Sequence, residues 1–226
     1  MSLKLTKRLQ AVADFVRKGH KTADVGTDHG YLPAFLVLTD VTNNAIAADI
    51  GIGPLDNARK TVEKFGLEDK IGIVLSDGLK NIPNDTQEII IAGMGGTLIA
   101  DILENAPWIK NENVHLILQP MTHSQDVRKF LCENGFYIDD EKTVEDAGKV
   151  YIVISAFYNG IKELKDDYYY YFGDKIISQS ETDKAYISRQ YSYIKSKCFG
   201  LEHSNNAEAE KYRNILCNAE RDGKNI

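Results

Sequence analysis

The stretch "DVGTDHGYLP" at residues 24–33 places two glycines and two carboxylates close together after an apolar run. Glycine-rich turns that follow a first strand bind the pyrophosphate of dinucleotides through backbone amides at a helix N-terminus. In this chain Asp28 stands where such turns carry their second glycine, and its carboxylate would repel a phosphate and obstruct its approach. The spacing therefore disfavours a dinucleotide and favours a ligand that carries positive charge and no phosphate.

Further carboxylates stand at the ends of the first three apolar runs. Asp24 lies at the end of the first, Asp49 ends the second in "AIAADI", and Asp77 follows the third in "VLSDGL". Asp49 comes 23 residues after Gly26, near the spacing of a ribose-binding acid in doubly wound sheets. S-adenosylmethionine has no phosphate, carries a positive sulfonium, and offers amino and ribose hydroxyl donors. We therefore expect these three acids, with Gly26 and Gly78, to bind this methyl donor.

The fourth apolar run ends in "AGMGG", where Gly93, Gly95 and Gly96 leave the backbone free of side chains. Ligands of open α/β sheets bind outside the carboxyl ends of the strands, which is where this run ends. The alternative interpretation is a simple glycine-rich turn into a helix. We expect Gly93 and Met94 to lie beside the methionine part of the donor.

The elements that must position these residues alternate between short apolar runs and helical periods. Predicted strands cover residues 22–26, 45–50, 71–75, 88–92 and 115–119, and the helices between them cover 31–38, 54–65, 97–104 and 125–134. Pro54 suits a first helical turn and Ser124 an N-cap. Such alternation predicts a doubly wound, Rossmann-like parallel sheet with helices on both faces. Residues 137–141 and 149–158 lack room for a crossover helix, so we expect them to complete a seven-stranded sheet as an antiparallel pair.

Helical spacing returns in the last part of the chain without any strand pattern. Apolar residues repeat every three or four positions in two segments separated by the polar residues 203–206; they are Ile187, Tyr191, Ile194, Cys198 and Leu201, then Ala209, Tyr212, Leu216 and Ala219. This pattern predicts an antiparallel coiled-coil hairpin. We expect two domains, residues 1–159 and 160–226, with the aromatic residues 168–172 packed between them.

Composition and charge exclude several classes of function. The 226 residues are 43% apolar and 27% charged, with a net charge of −6, as in ordinary globular proteins. We expect a cytoplasmic protein without a membrane span, signal peptide or metal site, because the apolar runs are short and the three cysteines form no CxxC pair. Residues 1–21 carry +5 and residues 22–159 carry −11, so the basic face is N-terminal.

Several segments together resemble the bacterial tRNA adenine-N1 methyltransferases that modify position 22. They are "KRLQAVADFV", "ADVGTDHGYLP", "GMGG" with "LIADIL", and "LILQP" followed by a helix and "ENGF", spread over residues 3–158. The resemblance implies a class I methyltransferase domain, S-adenosylmethionine as donor and tRNA as acceptor, and the helical tail fits the same family. The chain departs from the family in "QPMT", where methionine and threonine replace the usual polar residues.

Methylation at N1 of adenine needs alignment more than a strong base, because the neutral ring carries a lone pair there. The base must also be turned out of its pair, since N1 lies on the Watson-Crick edge. We expect Asp28 to accept a hydrogen bond from the N6 amine and to stabilise the cationic product ring. His29 is expected to orient Asp28, contact the RNA backbone or cap the following helix, and Tyr31 to stack on a ligand or to pack. Gln119 is expected to bond a base edge.

We expect tRNA to contact the basic residues near the N-terminus, of which Lys4, Lys7 and Arg8 are assigned to substrate binding beside Arg17 and Lys18. Residues on the outer faces of the hairpin, including Arg189, Lys195 and Lys197, are a second contact. The alternatives are a merely solvated N-terminal helix and a hairpin that only packs or dimerises, although we expect a monomer. Methylation of a protein or small molecule, or a silent RNA- or protein-binding module, are the competing functions.

Overall fold

A single seven-stranded sheet forms the centre of the protein in the computed structural model, which describes residues 3–177, 179–201 and 207–224. The strands are β1 (Thr22–Val25), β2 (Ala45–Asp49), β3 (Ile71–Leu75), β4 (Glu88–Gly95), β5 (His115–Thr122), β6 (Phe136–Asp146) and β7 (Lys149–Tyr158). They lie in the order β3-β2-β1-β4-β5-β7-β6. The first five are parallel, and β7 is antiparallel to both β5 and β6. The predicted Rossmann-like methyltransferase architecture is confirmed.

Helices connect the strands and extend beyond them. They are α1 (Lys7–Ala13), α2 (Tyr31–Leu38), α3 (Ile52–Phe65), α4 (Gly96–Glu104), α5 (Ser124–Glu133), α6 (Asp167–Phe172), α7 (Glu181–Gly200) and α8 (Ala207–Arg221). The α1 helix is shorter than its apolar pattern and begins after Thr6, whose side chain accepts a hydrogen bond from the Leu9 amide. Among the described residues, none of the helices is both long and apolar enough to span a bilayer.

Three local expectations differ from the structure. The β6 strand begins one residue earlier and ends five residues later than expected, because its charged residues lie on an edge strand where side chains reach solvent. Strands β4 and β5 continue to Gly95 and Thr122, since an irregular register keeps them paired. The α5 helix is capped by His123 in a left-handed conformation (φ 55°), so Ser124 is its first residue and bonds the Tyr186 hydroxyl at 3.0 Å.

The C-terminal helices share one buried core with the sheet, in which α7 contacts β6 and β7 and α6 packs against α5. A fully buried Arg128 on α5 donates to Glu141 on β6 at 2.7 Å, to the carbonyls of Tyr170 and Tyr171, and to the Tyr186 hydroxyl. The expected packing of the aromatic cluster is therefore confirmed. The division at residue 159 remains a prediction, because these contacts join its two sides.

Helices α7 and α8 pack against each other. The expected residues Ile187, Ile194, Ala209, Tyr212 and Ala219 are buried. The seam is rotated slightly from its predicted position: Tyr186, Gln190 and Ile215 are also buried, whereas Tyr191 and Leu216 are only partly covered. The rotation follows from α7 packing on the sheet as well as on α8. The polar break at 203–206 lies outside the described residues.

Candidate functional site

The loop after β1 is fixed by its own backbone. The amides of Gly26 and Thr27 both donate to the Ala48 carbonyl, and the buried Thr27 hydroxyl accepts from the Gly30 amide at 3.2 Å. Gly26 adopts a φ of 83°, and a Cβ there would lie 2.0 Å from the terminal methyl of Met94. The positive φ favours glycine at position 26, whereas the contact with the flexible end of Met94 could be relieved by movement of that side chain.

The tip of this loop presents a carboxylate to solvent. The Asp28 side chain is 74% exposed, and its Oδ2 lies 3.2 Å from Nε2 of His29. The His29 ring stacks on Tyr31 with centroids 5.2 Å apart and an interplanar angle of 14°. The three side chains expected to face the acceptor are thus brought together, and His29 is placed to orient Asp28. Their catalytic roles stay predictions.

A buried acid lies beneath the loop. Burial raises the pKa of Asp24 to about 6, and the negative charge of Asp49 adds to the rise, while a Thr27 hydrogen bond and the charge of Arg8 oppose it. A carboxyl that titrates near neutrality in a pocket is a candidate for binding a cation, because a bound positive charge favours its ionised form. Sequence reasoning missed Thr27, whose buried hydroxyl serves both Asp24 and the loop.

The other two acids at strand ends separate in the structure. Asp49 is half-buried at the end of β2, where its Oδ1 accepts from the Gly51 amide at 2.7 Å. Asp77 is exposed and pairs with Lys80 at 2.5 Å, and together with Gly78 it lines a different depression, beside α4. The electrostatic contact between Asp24 and Asp49 supports one acidic site. Asp77 and Gly78 line the separate depression, and their part in donor binding stays a prediction.

Arg8 lies inside the site and not on the outer face of α1. Its Nη1 donates to Oε1 of Gln119 at 2.6 Å, and the Gly93 amide donates to the same oxygen at 3.1 Å. Arg8 is half-buried and directed into the pocket, and its assignment to RNA binding stays a prediction. The signal was present in the sequence: Arg8 stands four residues before the apolar Val12, so the two side chains lie on the same face of the helix.

Gln119 also differs from its expected role. The side chain is fully buried, its oxygen accepts from Arg8 and Gly93, and its Nε2 donates to the Pro120 carbonyl at 3.0 Å. Its hydrogen-bonding groups are therefore engaged within the protein and do not offer a free edge to a base. Gln119 instead holds Arg8 close to the carboxyl end of β4, where Gly93 adopts a φ of 84°.

The remaining cations near the N-terminus have different environments. Lys4 and Lys7 are exposed, as expected. Arg17 donates to the buried Glu88 at 2.6 Å and to the carbonyls of Gln87 and Asn113, which lie at the amino ends of β4 and β5. Because these ends lie at the edge of the sheet opposite the pocket, Arg17 is an anchor of the fold. Lys18 is exposed.

Together these side chains form a pocket of about 300 Å³ at the carboxyl ends of β1 and β4, lined by Arg8, Asp24, Asp28, His29, Tyr31 and Gly93. The pocket has an acid beneath it, another acid at its mouth, one arginine, and backbone without side chains at Gly26, Gly30 and Gly93. The residues that the structure describes contain no group of three or more His, Cys, Asp or Glu arranged to hold a metal ion.

The chain is similar to proteins of known family and structure. A family model described as a methyltransferase domain matches residues 5–154. The tRNA (adenine(22)-N(1))-methyltransferase of Bacillus subtilis (strain 168) is 43% identical over 155 residues, which are 68% of this chain and 65% of that protein. The match therefore spans slightly less than two thirds of the length of this curated relative.

Two solved structures resemble the whole chain. The B. subtilis m1A22 tRNA methyltransferase TrmK superposes with a TM-score of 0.84 at 31% identity and covers 100% of both chains. Sp1610 of Streptococcus pneumoniae, solved in complex with S-adenosyl-L-methionine, superposes with a TM-score of 0.80 at 34% identity, covering 94% of this chain and 100% of that chain. Both likenesses extend over the C-terminal helices as well as the sheet.

Proposed function

Since the chain belongs to the methyltransferase-domain family, we propose that it transfers a methyl group from S-adenosylmethionine to N1 of adenine 22 in tRNA. The observation that carries the proposal is the exposed Asp28 at the mouth of a pocket whose floor is the buried Asp24. The likeness to TrmK over the entire chain supports the choice of acceptor.

The residues of the pocket fit the methyl donor better than a dinucleotide. Asp24 and Asp49 provide negative charge toward the cationic groups and hydroxyls of the donor. Gly26 and Gly93 leave room for close approach, and Arg8, the one cation among the pocket residues, is placed to bind the donor's carboxylate. S-adenosylmethionine would supply the methyl group from its sulfonium: the S–CH3 bond breaks to leave a neutral thioether, and the positive charge is then carried by the N1-methylated adenine ring. The phosphates of a dinucleotide would be repelled by the carboxylate of Asp28.

The acceptor base would enter from the exposed side of the loop. Asp28 accepts a hydrogen bond from the N6 amine, which aligns N1, and its charge favours the ring as it becomes cationic. His29 acts as a positioning residue for Asp28 at 3.2 Å. Gln119 acts one step further back, because it fixes Arg8 and the Gly93 amide rather than the base.

Binding of the folded RNA would use cations on both sides of the pocket. Lys4 and Lys7 are exposed near α1, and Lys195 and Lys197 are exposed on α7. Arg189 on α7 donates to the Val150 carbonyl, so it also ties the hairpin to β7. A tRNA substrate would place the enzyme in the cytoplasm, where we expect it to act as a monomer.

The proposal is tested by replacing Asp28. The Asp28→Ala variant should bind S-adenosylmethionine within a few fold of wild type but methylate tRNA slowly, because the lost contact belongs mainly to the transition state. Asp28→Asn keeps one acceptor and should recover part of the rate. Reverse transcription of treated tRNA reports the product directly, since an N1 methyl blocks pairing and stops the polymerase.

Three results would contradict this assignment. Near-normal turnover of Asp28→Ala at saturating tRNA would remove the catalytic role of Asp28. Transfer of labelled methyl groups to protein extract or small molecules, with none to purified tRNA, would favour the competing acceptors. The absence of any transfer together with tight tRNA binding would favour a silent binding module.

A further inference from the structure

A second depression, named here the lysine groove, opens beside the pocket. It has a volume of about 380 Å³, and the polar residues that line it include Lys4, Lys60, Lys64, Asn57, His29 and Tyr31. Lys60 and Lys64 are four residues apart on α3, so they lie on the same face of that helix. All three lysines are exposed. The groove therefore presents three positive charges along one side of the catalytic sheet.

The three lysines are not neutralised by neighbouring acids. None of the ion pairs among the described residues includes Lys4, Lys60 or Lys64. On the same helix, Arg59 is paired with Asp56 at 2.6 Å. Residues 22–159 carry a net charge of −11, so a group of unpaired cations contrasts with most of this domain. The groove is a local site of attraction for a polyanion.

The lysine groove and the pocket share a wall. His29 and Tyr31 line both depressions, and their stacked rings separate the two. Tyr31 is 44% exposed, so one aromatic surface is accessible from outside. An RNA segment whose target base enters the pocket must therefore pass over these rings. The adjoining part of its phosphate backbone then reaches the lysines.

On the basis of the proposed function, we propose that the lysine groove binds the phosphodiester backbone next to the target nucleotide. The His29 and Tyr31 rings stack on a neighbouring base. Lysine is a flexible point charge that suits phosphates without reading sequence. Exposed aromatic rings beside such a track are typical of sites for single-stranded nucleic acid. The unpaired target region of an RNA matches both features.

This site changes the assignment of the RNA-binding cations near the N-terminus. Arg8 points into the pocket and Arg17 anchors the far edge of the sheet, so of these residues only Lys4 enters the groove. Helix α3 contacts β2 and β3, whereas α7 contacts β6 and β7 on the other side of the pocket. RNA held by the groove and by the hairpin would thus place the target nucleotide between them.

The test removes both helix lysines from the full-length protein. Lys60→Ala/Lys64→Ala is titrated with unmodified tRNA transcript at several salt concentrations. Loss of two phosphate contacts should raise the Kd for tRNA roughly 15- to 30-fold at about 0.15 M salt. It should also make the plot of log association constant against log salt concentration shallower, by about 1.4 to 1.8 in slope. KM for tRNA should rise while kcat at saturating tRNA and the affinity for S-adenosylmethionine stay near wild type.

The matched control is Lys70→Ala/Lys110→Ala, which removes two exposed lysines that precede β3 and β5 at the opposite edge of the sheet. Equal weakening by this variant would mean a general charge effect and would overturn the proposal. Unchanged Kd and salt slope in the groove variant, with normal wild-type methylation of tRNA, would overturn the groove alone. A wild-type protein that does not methylate tRNA would overturn the proposed function itself.

Discussion

The raised pKa of Asp24 makes the affinity for S-adenosylmethionine depend on pH. The free protein ionises this carboxyl only as the pH passes about 6, whereas a bound cationic donor requires the ionised form. If the complex keeps Asp24 ionised, acidification from pH 7 to pH 5 should weaken binding roughly tenfold, or about 1.4 kcal/mol. An acid with an ordinary pKa would change the affinity hardly at all over this interval.

Calorimetric titration at pH 7, 6 and 5 measures this dependence in wild type and in Asp24→Asn. The variant should bind the donor more weakly at pH 7 and lose the pH dependence. Because His29 also lines the pocket, His29→Gln serves as the control and should retain the dependence. A wild-type affinity equal at pH 7 and pH 5 would refute the reasoning, as would an unchanged profile in Asp24→Asn.

The same group has the opposite effect on the stability of the free protein. Since the folded-state pKa lies above the unfolded value, stability is fully present below that unfolded value and is lost as pH rises through about 6. The loss should reach about 3 kcal/mol at neutral pH. Asp24→Asn should therefore unfold at higher denaturant concentration than wild type at pH 7.5, with the difference disappearing below about pH 4.

Two further variants test the supports of the site. Arg8→Ala should weaken binding of S-adenosylmethionine by about 1.5 to 3 kcal/mol through loss of a charged hydrogen bond. If calorimetry shows an unchanged affinity for the donor, Arg8 would be assigned to RNA binding instead. Arg128→Ala leaves Glu141 buried without its partner and should lower the free energy of unfolding by about 3 to 5 kcal/mol, measured by denaturant titration. A chain ending at residue 159 would keep the Arg128–Glu141 pair but lose the Tyr170 and Tyr171 carbonyls and the Tyr186 hydroxyl, to which the buried Arg128 also donates. Such a chain should therefore fail to fold as a stable domain, and a stable one would show that these contacts are dispensable.

The sequence by itself determined the architecture and the set of residues that matter at the loop after β1. Hydrophobic periodicity identifies strands and helices because burial of one face requires a fixed repeat, and parallel strands necessarily bring their carboxyl ends to one edge. Asp28 in place of a glycine was readable in the same way, because a carboxylate and a phosphate repel wherever the loop lies. The confirmed sheet and the positions of Asp24, Asp28 and His29 follow from these local rules.

Only the tertiary structure decided which way long side chains point and what they meet. Arg8 and Arg17 lie on one short N-terminal segment, yet one enters the pocket toward Gln119 and the other reaches Glu88 at the far edge. The meeting of Lys4 with Lys60 and Lys64, and of Arg128 with Glu141 and Tyr186, joins residues distant in the chain. Such contacts depend on how elements pack, and no spacing within one element encodes a partner contributed by another.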